Sequence, residues 1–183
     1  MSIPHRHSSP KNIAAGERTF FVTASTWGKR NLLQSSRAAD LFLRTLYDYR
    51  AQKKYLLHDF VVMPDHFHIL ITVDADITVE RAVQLVKGGF SLGAGKELGF
   101  EAPVWQKGFS EIRVLDLETF ENQRRYIRNN PVVAHLAPTP EQYSYCSAHE
   151  KWALDPPPLG LKPGQSPAFT ARLKAPLIRI PGG

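Results

Sequence analysis

Between Tyr55 and Val73 the chain reads Tyr-Leu-Leu-His-Asp-Phe-Val-Val-Met-Pro-Asp-His-Phe-His-Ile-Leu-Ile-Thr-Val, two β-forming runs separated only by Pro64-Asp65. Proline cannot donate to a strand ladder, and Pro-Asp favours a tight turn. The segment therefore predicts strands over 55–63 and 66–73, paired antiparallel. Side chains at i and i+2 of a strand leave the same face. His66 and His68 thus emerge together, while Phe67 turns the other way into a core.

The flanking sequence supplies elements to pack on this pair. Thr19 to Thr26 is rich in β-formers and predicts a first strand. Ser35 or Ser36 is placed to cap a helix reaching about Lys54, with Phe42, Leu46 and Tyr49 on its buried side. Thr78 would cap a second helix carrying Val79, Val83, Val86 and Phe90 on one stripe. Arg81 stands where a capping box needs an acid or amide. Gly88, Gly89, Gly93, Gly95 and Gly99 are expected to loosen the second half of that helix. A fourth strand is expected over Val104–Val114, opened by Pro103 and containing Trp105. Asp116 then caps a helix from Leu117 to about Asn129, with Leu117, Phe120 and Ile127 facing inward. The order βαββαβ plus a final helix makes the chain α+β. It points to an antiparallel sheet of about four strands with helices on one face.

With 183 residues and 43% apolar content there is material for one domain with a core. The expected divisions are a flexible lead-in over 1–18, a domain over 19–152, and a Pro-rich basic tail over 153–183. Seven of the fourteen prolines lie from Pro156 to Pro181, alongside Lys162, Arg172, Lys174 and Arg179 and no acid. Such a composition cannot bury a core of its own. The net charge of +6 favours a polyanionic partner, nucleic acid being the commonest. Cys146 is the single cysteine, which excludes a disulfide framework and a cysteine zinc site. No apolar run of membrane-spanning length occurs, so a cytoplasmic protein is expected.

Two imidazoles on one face of an apolar strand are costly to desolvate without a shared purpose. They read either as two structural histidines satisfied by hydrogen bonds or as half of a metal site, which with oxygen donors and open positions would suit Mg²⁺ or Mn²⁺ better than structural zinc. His5-Arg6-His7 repeats the spacing between prolines and without a strand pattern, so it is set aside. Gly93-Ala94-Gly95-Lys96 fails as a phosphate loop, because Phe90 and Glu97 occupy the positions of an essential glycine and hydroxyl. In the last helix Tyr126 and Asn130 lie about 40° apart around the axis if the helix runs on. Asn130 would then offer an amide oxygen, although Pro131 predicts that the helix ends there. Arg124, Arg125 and Arg128 surround Tyr126 with positive charge suited to phosphate.

These stretches resemble the REP-associated tyrosine transposases, a branch of the single-tyrosine HUH nucleases. The likeness is carried by Phe20-Phe21-Val22-Thr23, Val62-Met63-Pro64-Asp65-His66-Phe67-His68-Ile69-Leu70 and Val104-Trp105-Gln106-Lys107-Gly108-Phe109. It continues in Tyr126-Ile127-Arg128-Asn129-Asn130-Pro131-Val132 and Tyr143-Ser144-Tyr145-Cys146-Ser147-Ala148. The resemblance implies a ferredoxin-like (RRM-like) fold with His66 and His68 on a central strand. It implies Tyr126 as nucleophile, Asn130 as third ligand of a divalent Mg²⁺ or Mn²⁺, and hairpin-bearing single-stranded DNA as substrate. Lys107 joins the three arginines as a candidate DNA contact. The expected product is a 5′-phosphotyrosine link that can be rejoined without ATP. The agent is expected to be a monomer or homodimer working near the nucleoid of a prokaryote, with no membrane partner. Ala134-His135-Leu136 departs from the family's usual Gly-Leu, and the glycines of the second helix replace a commonly basic end. Two other readings stay open: a non-catalytic nucleic-acid-binding module of RRM-like topology, and a metal-dependent hydrolase of small molecules.

Overall fold

The computed structural model describes residues 16–163. Most of the expected lead-in (residues 1–15, with His5 and His7) and the tail from residue 164 lie outside the described residues.

The elements are β1 (Arg18–Ser25), α1 (Ser36–Ala51), β2 (Leu56–Met63), β3 (His66–Val73), α2 (Val79–Leu98), β4 (Ser110–Val114) and α3 (Leu117–Val133). The four strands form one antiparallel sheet in the order β2-β3-β1-β4, the ferredoxin-like arrangement. Each helix starts where a side chain can satisfy an orphan N–H. Ser35 accepts from Ala38 N, Thr78 from Arg81 N, and Asp116 from Thr119 N at 2.7 Å. No described helix is long and apolar enough to cross a membrane.

Strand alternation divides the sheet into two unlike faces. Phe20, Val22, Phe60, Phe67, Ile69 and Ile71 point to one side and form the main core with α1 and α2. Phe21, Val61, Met63 and Leu70 point to the other and pack on Phe120 and Ile127 of α3. The sequence pattern predicts helices on one face, but α3 lies on the face opposite α1 and α2. Because His66 and His68 share parity with Leu70, they can meet only the helix on the second face.

Four further expectations are corrected. The α2 glycines do not loosen the helix, which runs unbroken to Leu98 and ends at Gly99 in the left-handed conformation (φ 70°). A Cβ on Gly89 would stand 2.9 Å from Thr45 Cγ2 and Tyr49 Cε2, and one on Gly93 would stand 3.1 Å from Leu41 Cδ1. These two glycines let α1 and α2 approach closely. The fourth strand starts at Ser110 rather than Val104. Trp105 makes only an isolated bridge to Thr26, and Gly108 (φ 72°) turns the chain before β4 begins. Finally, α3 continues through Pro131 to Val133. Proline here removes one N–H near the helix end, and Ala134 N still reaches Asn130 O at 3.0 Å. Leu117, expected to face inward, is 42% exposed at the first turn of α3.

After α3 the chain returns along the outer edge of β2. Val62 N donates to Tyr145 O and Ser147 N to Phe60 O, each at 2.9 Å. Farther on, the Asp155 carboxylate accepts from Leu57 N at 2.7 Å and from Arg50 Nε and Nη2 at 2.8 Å. Lys162 pairs with Asp116 beside the start of α3. The first residues of the Pro-rich stretch are thus laid against the body of the domain.

Candidate active site

The second face of the sheet brings together residues from β1, β3 and α3. His66 and His68 stand side by side with ring centroids 4.8 Å apart. Cross-strand register sets Thr23 opposite His68, and its hydroxyl is 2.7 Å from His68 Nδ1. His66 Nδ1 lies 2.6 Å from Asp65 Oδ1, and Lys29 Nζ lies 3.6 Å from that carboxylate's other oxygen. In both histidines the δ nitrogen is occupied by a protein partner. His68 Nε2, by contrast, is buried with no hydrogen-bond partner. With Thr23 accepting from Nδ1–H, the ε nitrogen of His68 carries the free lone pair. Burial, reinforced by the nearby His66 and Lys29 charges, pushes the His68 pKa well below the usual imidazole range and favours that neutral form.

Tyr126 completes the cluster from α3. Its ring meets His68 edge-on at 5.3 Å and Phe21 edge-on at 5.7 Å, while Phe21 stacks on His68 at 5.3 Å. Tyr126 is 40% exposed. A phenol held by two rings at its base yet open to solvent can be reached by a large substrate. Asn130 lies one turn further along the same flank, half-buried, because the helix does not stop at Pro131.

Two imidazoles with room for oxygen donors beside them fit a divalent cation. Among the described residues no group of three or more His, Cys, Asp or Glu side chains is placed to hold an ion, so a third donor beside the two histidines would be of another kind. The Asn130 amide is one on the correct flank. The orphaned, buried His68 Nε2 is the observation that favours a ligand role, since leaving a buried polar atom unpartnered costs about 1–3 kcal/mol.

The four candidate DNA contacts separate. Arg124 and Arg128 turn to the opposite flank of α3 and pair with Asp59 of β2, at 2.8 and 3.1 Å. Arg125 is exposed and bonded to Asn122. Lys107 is exposed on the loop where Gln106 N donates to Ser25 O, beside the Ser25–His66 pair. Sequence reasoning missed Asp59, Thr23 and Asp65. Asp59 left a readable signal, an acid beside His58 inside a strand of otherwise apolar residues. Thr23 left none without the register of β1 on β3. Gln123 is also buried with its amide nitrogen unpartnered, and nothing in the structure explains it.

A family model described as "Transposase IS200 like" matches residues 21–130. The chain belongs to the IS200-like transposase family. The matched span runs from Phe21, under the site, to Asn130, and so contains every residue of the cluster. None of the curated protein sequences matches this transposase. Among solved structures, a REP-associated tyrosine transposase bound to a REP hairpin superposes with a TM-score of 0.67 at 18% identity. The alignment covers 91% of this chain and all of that one. A second structure, provisionally described as a transposase, from Deinococcus radiodurans R1, aligns over 70% of this chain and 97% of that one, with 18% identity and a TM-score of 0.47. The first likeness establishes the fold, and family membership makes DNA the substrate class.

Proposed function

We propose that this transposase cleaves and rejoins single-stranded DNA beside hairpin repeats through a covalent 5′-phosphotyrosine at Tyr126. The observation that carries the reading is the seat of Tyr126, with its ring 5.3 Å from the ring of His68, whose ε nitrogen is buried and unpartnered. The phenol oxygen forms a bond to phosphorus while the bond from phosphorus to the 3′ oxygen breaks. The phenol loses its proton, the departing 3′ oxygen gains one, and the phosphate ends on Tyr126. Because one phosphoester replaces another, the step reverses without an external energy source.

His66, His68 and Asn130 would hold a divalent Mg²⁺ or Mn²⁺. Such an ion would supply polarisation of the scissile phosphate and offset charge that builds on its oxygens. Asp65 and Thr23 orient the two imidazoles through their δ nitrogens. Phe21 fixes the ring of His68 by stacking and supports Tyr126 from below. Arg125 and Lys107, both exposed, would contact the DNA backbone. A hairpin partner is supported by the DNA bound to the similar REP-associated enzyme. The RRM-like binding module is disfavoured, because the sheet face such a module would present to RNA is covered here by α3.

The test is incubation with Mn²⁺ and hairpin-bearing single-stranded oligonucleotides, followed by denaturing electrophoresis. Wild type should give a protein–DNA band that survives denaturation, and Tyr126→Phe should bind DNA but give none. A covalent band from the Phe variant would refute the nucleophile assignment.

A further inference from the structure

Asp59 is fully buried on β2, where His58 is the one other buried polar side chain and the rest of the buried residues are apolar. Both carboxylate oxygens are used. Arg124 Nε donates to Oδ2 at 2.8 Å, Arg128 Nε donates to Oδ1 at 3.1 Å, and Ser147 Oγ also donates to Oδ1. Ser147 Oγ is itself fixed by accepting from Phe60 N at 3.0 Å. The two arginines stand two residues before and two after Tyr126. At ~100° per residue they fall some 160° around α3 from the tyrosine, with Ile127 and Phe120 buried in between. The helix therefore lies on its apolar stripe, held at one flank by Asp59 and presenting Tyr126 at the other.

We infer that Asp59 is a positioning residue, whose grip on Arg124 and Arg128 sets the roll of α3 and hence where the Tyr126 phenol stands over His66 and His68. This rests on the proposed role of Tyr126 as nucleophile. Two anchors a turn apart on one carboxylate fix both rotation and axial position, which a single contact cannot do. Side chains reach about 5–6 Å from a helix axis, so a roll of ~10° moves the phenol by ~1 Å. Misplacement of about 1 Å can cost on the order of 100-fold in rate. A buried ion pair is a poor stabiliser compared with apolar packing, and its best-attested use is to select one arrangement among several. The Asp59 pairs also account for why two of the three arginines around Tyr126 turn away from the site.

The test compares Asp59→Asn, Ser147→Ala and Arg128→Gln with wild type, well below their measured melting temperatures. At saturating DNA, Asp59→Asn should form the covalent adduct at least 30-fold more slowly, while its Kd for DNA stays within about threefold. Ser147→Ala, which keeps both arginine pairs, should slow the step by only a few fold. If Asp59→Asn does not fold, Arg128→Gln and Ser147→Ala decide the matter by the same two readouts. A folded set that cleaves at the wild-type rate, or that loses binding and rate in parallel, overturns the inference. A 3-fluorotyrosine placed at 126 reports the phenol's seat without DNA. Its ¹⁹F resonance should shift or split in Asp59→Asn, and an unchanged line sinks the clamp whatever happens to cleavage. If wild type forms no adduct but the resonance moves, the nucleophile reading fails and the mechanical coupling stands.

Discussion

Thr23→Val is the sharpest probe of how the histidine pair is prepared. The exchange keeps the shape of the side chain and replaces the hydroxyl that lies 2.7 Å from His68 Nδ1 with a methyl group. His68 is 4% exposed, so water cannot take the place of the lost partner. Leaving a buried ring nitrogen unpaired costs about 1–3 kcal/mol. For a chain of this size that is a fall of roughly 2–12 °C in melting temperature. The larger effect should be on the ion. Outer-shell partners of metal-binding imidazoles are typically worth 10–100-fold in affinity, or about 1.4–2.8 kcal/mol. Adduct formation titrated with Mn²⁺ should therefore show half-saturation 10–100-fold higher in Thr23→Val, with the rate at saturating Mn²⁺ largely restored. Thr23→Ser, which keeps the hydroxyl, should titrate close to wild type. A folded Thr23→Val with wild-type Mn²⁺ dependence would show that the hydroxyl does not orient His68 as a ligand.

Two other predictions concern the scaffold. Gly89→Ala should destabilise the protein by about 1–2 kcal/mol in urea unfolding, because overpacking against Thr45 and Tyr49 outweighs the better helix propensity of alanine. A more stable Ala variant would show that α1 and α2 can separate at little cost. Arg50's hydrogen bond holds the Asp155 carboxyl below its usual value, so its contribution is complete above about pH 4 and fades as pH falls through the lower folded-state value. Asp155→Asn should thus be about 1–2 kcal/mol less stable at pH 7, with the gap closing in acid. A gap that stays constant to pH 2 would contradict this.

Much of the site could be read before the fold was seen, because its chemistry is carried by short-range patterns. Pro64-Asp65 and the alternation around Phe67 placed both histidines on one face. The four-residue spacing placed Tyr126 and Asn130 on one flank of a helix. What failed were inferences from local propensity that tertiary contacts override. Gly89 and Gly93 look like helix breakers in isolation but are required by the neighbouring helix. Pro131 looks like a stop but sits where losing one donor matters little. Trp105 looks like the middle of a strand but spends its backbone on a single bridge. Arg124 and Arg128 looked like phosphate ligands because the buried acid that holds them lies some 65 residues earlier. Only the sheet order brings that acid beneath α3.

The two unequal sides of the sheet imply that the protein does not come apart all at once. The side built with α1 and α2 holds the larger share of the buried side chains, and the side beneath α3 holds far fewer. Thin layers open at lower free energy than thick ones. On warming, amide protons of α3 should trade with solvent before those of β1 and β3. Strand cutting would then fade while most of the molecule still gives a native spectrum. Tyr126, the proposed nucleophile, rides on the part most easily lifted, and the histidines on the part that is last to go.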